Sequence, residues 1–214
     1  MNIPYPLFDA SYINVGLAQA SVYKVKPKRV NLVSAFVPQK SYISLGASNK
    51  LETNVNVTEC LSDGIEVFKR LSGGEAVFLS PNCVVFSRVL VDDLLPKSED
   101  AFNSNLELIT NVLSALGVKR IERQGISDLT IGNRKILGCS IYRKPNYLLF
   151  HAVLNVCEDP ETIARYLQHP VREPDYRKSR LHTSFITSLH GESYYLSPDL
   201  VAEALLNWKA QSRE

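Results

Sequence analysis

The chain has 214 residues, 45% apolar and 21% charged, with 24 Lys and Arg against 22 Asp and Glu. That composition supports a sizeable core and excludes a disordered chain, and a formal charge of +2 gives no electrostatic case for nucleic acid or an anionic membrane as the main partner. No window approaches the ~18 consecutive apolar residues of a membrane span, no basic stretch leads into an apolar run at the N-terminus, and Cys60, Cys83, Cys139 and Cys157 contain no Cys-x-x-Cys pair, so a cytoplasmic protein with buried, reduced thiols is expected.

Residues 8–24 carry Phe8, Tyr12, Val15, Gln19 and Val22 at helical spacing ahead of Lys26-Pro27, which predicts an amphipathic first helix. Val30–Val37 and Ser41–Leu45 read as strands, residues 47–63 are polar and mixed, and Ile65–Arg70 returns to strand character. Ser72-Gly73-Gly74 reads as a turn reversing that strand into Ala76–Leu79, with Cys83–Val91 following; the short connections suggest antiparallel neighbours. Phe102, Leu106, Ile109, Leu113 and Leu116 mark the clearest helix, with Ser98 as a candidate cap and Gly117 as its close. A hairpin follows, from Leu129–Ile131 through Gly132-Asn133 to Arg134–Tyr142, and then a strand over Tyr147–Val156. Asp159-Pro160 starts a helix to about Gln168, Arg172–Arg180 is a polar loop before an apolar segment at Phe185, and Ser197-Pro198 starts a last helix through Trp208. One α+β domain, a mixed or antiparallel sheet packed with helices, accounts for these elements.

Two places invite chemistry. Ser72-Gly73-Gly74 reads either as a plain β-turn or as a nest whose backbone N–H groups approach a phosphate or an acyl carbonyl. No P-loop or dinucleotide fingerprint accompanies it. In the second hairpin, strand alternation would turn either Lys135 or Arg134 inward, and a buried lysine needs an anion. Asp128 could supply that charge or help hold magnesium on a nucleotide; a turn-flanking carboxylate is the plainer reading. His151 sits in an apolar strand and reads as a core histidine, and Arg172, Arg177, Lys178, Arg180 and His182 read as a solvated basic loop.

Taken in order, Arg70-Leu71-Ser72-Gly73-Gly74, Asp128-Leu129, Arg134-Lys135-Ile136-Leu137-Gly138 and His151 to Leu154-Asn155 resemble the lipoate-protein ligase family of the biotin/lipoate A/B protein ligases. The resemblance runs from Asn14–Ala18 through Ser44–Asn49 to Ser184–Leu189. It implies one ligase-like catalytic domain over residues 1–214, lacking the C-terminal accessory domain of many relatives and so self-sufficient or paired with a separate accessory subunit. The implied activity is ATP- and Mg2+-dependent activation of lipoate, or a similar medium-chain acid, as acyl-AMP. Transfer would then go to a lysine of a lipoyl carrier domain or a glycine-cleavage H-like protein. By the same resemblance Lys135 is the catalytic residue, and Arg70, Ser72, Gly73, Gly74, Glu75, Ala76, Val77, Phe78, Asp128 and Gly138 bind substrate or nucleotide, with no residue-held metal set.

The chain departs from the family pattern at Glu75, in place of a third glycine, and at Leu79, Ser127 and Ala152, in place of His, Asn and Gly. Cysteine-dependent octanoyl transferases belong to the same family. Their nucleophile would fall in Gln124–Ser127 or His169–Arg172, and neither stretch holds a cysteine, while Cys139 lies beside Lys-x-x-Gly. A transferase that needs no ATP, and a non-catalytic lipoyl-binding protein on the same fold, are the alternatives.

Overall fold

The computed structural model describes residues 7–9 and 30–211, folded as two sheets with helices against them. The larger sheet is antiparallel throughout and contains β2 (Val30–Phe36), β6 (Cys83–Val91), β7 (Ile121–Gln124), β8 (Asp128–Ile131), β9 (Arg134–Lys144) and β10 (Tyr147–Asn155), in the order β2-β6-β10-β9-β8-β7. Its centre is β6 and β10, which pair along their whole length from Tyr147 opposite Val91 to Asn155 opposite Cys83. Both are near-continuous apolar runs because both of their faces are covered.

One face is covered by α3 (Ser98–Ala115) and α5 (Pro198–Gln211), joining Ile109, Leu113, Val201 and Leu205 to Phe86, Leu137 and Phe150 in the main core. Each fully buried side chain of this size contributes roughly 1.5–3 kcal/mol. α3 ends as its sequence implies: Gly117 has φ +91, its N–H donates to the Ser114 carbonyl (3.0 Å), and Val118 N–H reaches back to Leu113 (3.0 Å). Its start differs, because Lys97 is the N-cap and no side chain caps the helix; Ser98 is already its first turn.

The smaller sheet corrects the expected hairpin. Its strands, β1 (Leu7–Asp9), β3 (Tyr42–Leu45), β4 (Glu66–Lys69) and β5 (Val77–Leu79), run in the order β1-β4-β3-β5. β3 therefore lies between β4 and β5, parallel to the first and antiparallel to the second. Between β4 and β5 the chain does reverse, as expected, but Ser72-Gly73-Gly74 carries it across β3, so the two strands are not neighbours, and β6 belongs to the other sheet. The polar stretch 47–63 carries two short helices, α1 (Leu51–Asn54) and α2 (Val57–Asp63). Cys60 of α2 packs with Val67, Phe78 and Ile163 of α4 (Pro160–Tyr166) as a second core. Asp159 caps α4 as expected, accepting Glu161 N–H at 3.0 Å. The proposed first helix opens instead with a strand at Leu7–Asp9, and the remainder of that segment, residues 10–24, lies outside the described residues.

Candidate active site

The glycine loop is held by one buried cation. Arg70 follows β4, is 6% exposed, and its guanidinium donates to the carbonyls of Ser44 (2.7 Å), Gly73 (2.8 Å) and Glu75 (2.9 Å) and to Ser72 Oγ (3.1 Å). Four of its five N–H groups are thus committed to shaping the loop. Burial pushes its pKa down to about 10, with Glu75 opposing the shift, so it stays charged at neutral pH. Gly74 has φ +89, and a Cβ on Gly46 would collide with the Gly74 carbonyl, so the close approach of the two loops requires both glycines. Among the described residues, no protein acceptor takes the backbone N–H of Gly73, Gly74 or Glu75, which leaves a short row of donors of the kind that binds anions.

Lys135 is turned into the site by a β-bulge. Asp128 lies opposite Gly138 and Leu129 opposite Leu137, but Thr130 lies opposite Lys135, so Ile136 has no partner across the ladder. With simple alternation, residues 135 and 138 would face opposite ways. The extra residue brings Lys135, Gly138 and Asp128 onto one face. There Lys135 Nζ lies 2.8 Å from Asp128 Oδ1 and is 26% exposed, while Asp128 is almost fully buried. The lysine side chain lies across Gly138: a Cβ at that position would come within 2.7 Å of Nζ and 2.8 Å of Cε. The spacing Lys-x-x-Gly is thereby explained by contact. Arg134 points elsewhere, 2.5 Å from Glu192 and 42% exposed.

Both parts face a cavity of about 430 Å3 between the sheets, large enough for a medium-chain acid. Val77, Phe78, Leu137 and Val153 give it apolar wall, and Lys135, Asp128, Arg70, Glu75 and His151 give it polar wall. His151 is not merely a core residue. It lines the cavity, its Nε2 lies 2.6 Å from Ser72 Oγ, and burial, aided by Arg70, pushes its pKa down to about 3, so it is neutral. Ser72 Oγ also accepts from Arg70 Nε, so it ties the His151 ring to the buried guanidinium. Glu75 is half-buried, and its Oε2 accepts from Asn54 Nδ2 (3.0 Å) and Asn49 Nδ2 (3.4 Å). The carboxylate that replaces the family's glycine is therefore latched to α1 and the preceding turn at the cavity wall.

Part of the remaining wall comes from the segment 172–186, where Arg172 and Lys178 are exposed as a solvated loop would have them but Arg177 and His182 are buried. Arg177 is 4% exposed, stacks 4.6 Å over Phe185, donates from Nε to the Arg180 carbonyl (3.0 Å), and has one terminal nitrogen buried without a partner. His182 is buried too, and desolvation, followed by Arg177, His169 and Lys135, lowers its pKa to about 4. Tyr176 reaches Asp128. Of the residues expected at the site, Arg70, Gly74, Glu75, Ala76, Val77, Phe78, Asp128, Lys135 and Gly138 line the cavity, with Ser72 and Gly73 in the loop behind it. Sequence reasoning does not single out Asn54, Tyr176, Arg177, His182 or Phe185 as site residues; the clustering of Arg, Tyr and His in 172–182 is a signal for Tyr176, Arg177 and His182, and the short polar stretch around Asn54 carries none. Cys139 lines the cavity with its Sγ donating to the Ser127 carbonyl (3.0 Å), and burial and Asp128 push its pKa well above the ordinary thiol range. No group of three His, Cys, Asp or Glu suited to a metal occurs among the described residues.

Residues 11–208 match the family model of the lipoyl protein ligase A/B catalytic domain. A probable lipoate-protein ligase A of Mycoplasma genitalium is 28% identical over 169 residues, 77% of this chain and 48% of the relative. The octanoyltransferase LipM of Clostridioides difficile is 24% identical over 171 residues, 70% of this chain and 63% of the relative. The chain spans about half the length of the lipoate-protein ligases it matches. Among solved structures, a bi-partite lipoate protein ligase from Thermoplasma acidophilum, described with its E2 lipoyl domain, superposes with a TM-score of 0.77 at 19% identity, over 99% of this chain and 84% of that one. A lipoate-protein ligase A bound with ATP superposes with a TM-score of 0.72 at 19% identity, over 98% and 85%. No helix among the described residues is long and apolar enough to cross a membrane.

Proposed function

Because the chain belongs to the lipoyl protein ligase A/B catalytic-domain family, we propose that it activates lipoate, or a medium-chain acid of similar size, with ATP and passes the acyl group to a lysine of a lipoyl carrier domain. The observation that carries this reading is Lys135: a single ammonium, oriented by Asp128 and laid over Gly138, facing a cavity also lined by Gly74 and Glu75, whose backbone N–H groups have no protein acceptor among the described residues. In the first step a carboxylate oxygen of the acid attacks the α-phosphorus of ATP and pyrophosphate leaves. In the second the carrier's amine attacks the acyl carbon and AMP leaves. Charge builds on the phosphate and then on the acyl oxygen, and Lys135 with the loop N–H groups is placed to stabilise both. Magnesium arriving with the nucleotide would take its ligands chiefly from phosphate oxygens and water. Asp128 would be available to it only by giving up one of the bonds it makes to Lys135, Ser127 and Tyr176.

Likeness to the bi-partite archaeal ligase supports a lipoyl carrier domain of the E2 type as partner, and a separate accessory chain is compatible with it. The similarity to octanoyltransferases keeps one competing reading, transfer through a cysteine. Cys139 is the thiol nearest Lys135 in sequence, and its raised pKa and hydrogen bond to a carbonyl oppose a thiolate. The test is mass spectrometry of a purified lipoyl domain incubated with the protein, lipoate and ATP-magnesium. The ligase reading expects an ATP-dependent adduct that survives replacement of all four cysteines and falls by roughly 10²- to 10³-fold in rate with Lys135→Ala. ATP-independent transfer from an octanoyl carrier, abolished by Cys139→Ser, would establish the transferase instead.

A further inference from the structure

Tyr176 stands outside every motif of the family resemblance, yet its hydroxyl ends on the carboxylate that orients Lys135. It lies in a turn, Asp175–Arg177, of the segment that crosses the cavity. Its O–H donates to Asp128 Oδ2 at 2.7 Å, while Oδ1 accepts from Lys135 Nζ (2.8 Å) and Ser127 Oγ (3.1 Å). Among the described residues no other donor reaches Oδ2, and Asp128 is 3% exposed. The turn itself is stapled in place. Arg180 donates to the Tyr176 carbonyl and to that of Asn133 in the β8–β9 turn, each at 3.0 Å, and the Tyr176 ring packs on Phe185 with centroids 5.2 Å apart.

We propose that Tyr176 is a positioning residue for the reaction described above, acting through Asp128 to hold the Lys135 ammonium at the cavity. The inference rests on that reading of the function. A buried carboxylate oxygen left without a donor is costly, so without the tyrosine hydroxyl Asp128 turns to find another partner, and Lys135, which shares its other oxygen, moves with it. Burial and Asp128 both push the Tyr176 pKa well above its ordinary value, so the hydroxyl remains a donor at any working pH.

Tyr176→Phe keeps the ring and its packing and removes only the donor. The expected result is a fall of ~10-fold in kcat for lipoyl-domain modification, the size typical of a lost hydrogen bond to a charged group, with the KM for the carrier domain unchanged. In an Asp128→Asn background the same change should cost less than twofold in kcat, because the residue through which it acts is already altered. A purely structural tyrosine would lower the thermal midpoint and its effect would add in full in that background. Wild-type rates in Tyr176→Phe, or full additivity with Asp128→Asn, would overturn the inference while leaving the Lys135-dependent function in place. Absence of modification by the wild type, from lipoate with ATP and from preformed lipoyl-adenylate alike, would remove both.

Discussion

The two cations of the site, Arg70 in the glycine-loop region and Lys135 on the β8–β9 hairpin, show how partners decide a charge's role. Arg70 is buried and its N–H groups go to three carbonyls and a serine, so it builds the loop and has one N–H left. Lys135 has one carboxylate partner, and its three N–H donors leave two for a ligand. The first region is a frame and the second an instrument. The family resemblance makes Lys135 catalytic and Arg70 a substrate- or nucleotide-binding residue, with no physical reason for the difference. Their donor inventories separate them.

The comparison is broken most directly at Arg70. Arg70→Met keeps bulk and removes the clamp, leaving buried carbonyls unpaired. It should lower unfolding free energy by on the order of 3 kcal/mol or more, read by urea denaturation. Wild-type stability with a selective loss of rate would make Arg70 the instrument instead. Lys135→Ala should invert that pattern, with the rate loss stated above and a smaller stability change, because Asp128 loses its counter-charge but keeps its bonds to Ser127 and Tyr176.

Acid probes both regions together, since His151 braces the loop through Ser72 and His182 lies on the Lys135 side. Their folded pKa values, about 3 and about 4, lie below the unfolded value near 6.5. Below pH ~6.5 the unfolded chain gains protons that the folded chain refuses, so stability is intact above that pH. It should fall by on the order of 1 kcal/mol per pH unit for each histidine as pH drops toward those folded values. Denaturation series at pH 7 and pH 5 measure this. His151→Gln should remove its share of the slope, and an unchanged slope would mean that His151 is protonated in the fold.

Gly138→Ala sharpens the hairpin side. The added methyl clashes with the far end of Lys135, a flexible group, and meets Asp128 Oδ1 at an ordinary 3.7 Å, so the fold should tolerate it while the ammonium is displaced from Asp128. A loss of about tenfold in kcat, ~1.4 kcal/mol, with little change in thermal midpoint is expected; unaltered kcat would show that the contact does not position the lysine. Arg134→Ala should have the smallest effect, below about 1 kcal/mol in stability for a half-exposed ion pair, and kcat within about twofold of wild type. A large rate loss there would put Arg134, not Lys135, at the cavity.

Much of the fold was legible locally. The apolar runs of β6 and β10, the three-four spacing of α3 with Gly117 behind it, the Gly132-Asn133 hairpin and the Asp159-Pro160 start of α4 each encode an element in its own period or cap. The short helices over 51–63 escaped because four to seven residues carry too little periodicity to announce a helix. Residues 172–182 read as solvated because their composition is basic, whereas Arg177 is buried by stacking on Phe185 and by carbonyls that only the folded segment supplies.

By itself the sequence determined the kind of protein: an α+β domain pattern, a family through the ordered Ser-Gly-Gly, Asp-Leu and Lys-x-x-Gly motifs, and Lys135 as the residue of interest. Only the tertiary structure decided which way the lysine points, because a one-residue bulge at Ile136 reverses what alternation implies and leaves no mark in the local pattern. It also decided that β3 divides β4 from β5 and that Glu75 is latched by Asn49 and Asn54. The reason is common to all three. Local sequence fixes dihedral preference and period, whereas pairing between distant strands and the partner of each buried polar atom are settled by the requirement that every such group be satisfied at once when the chain closes on itself.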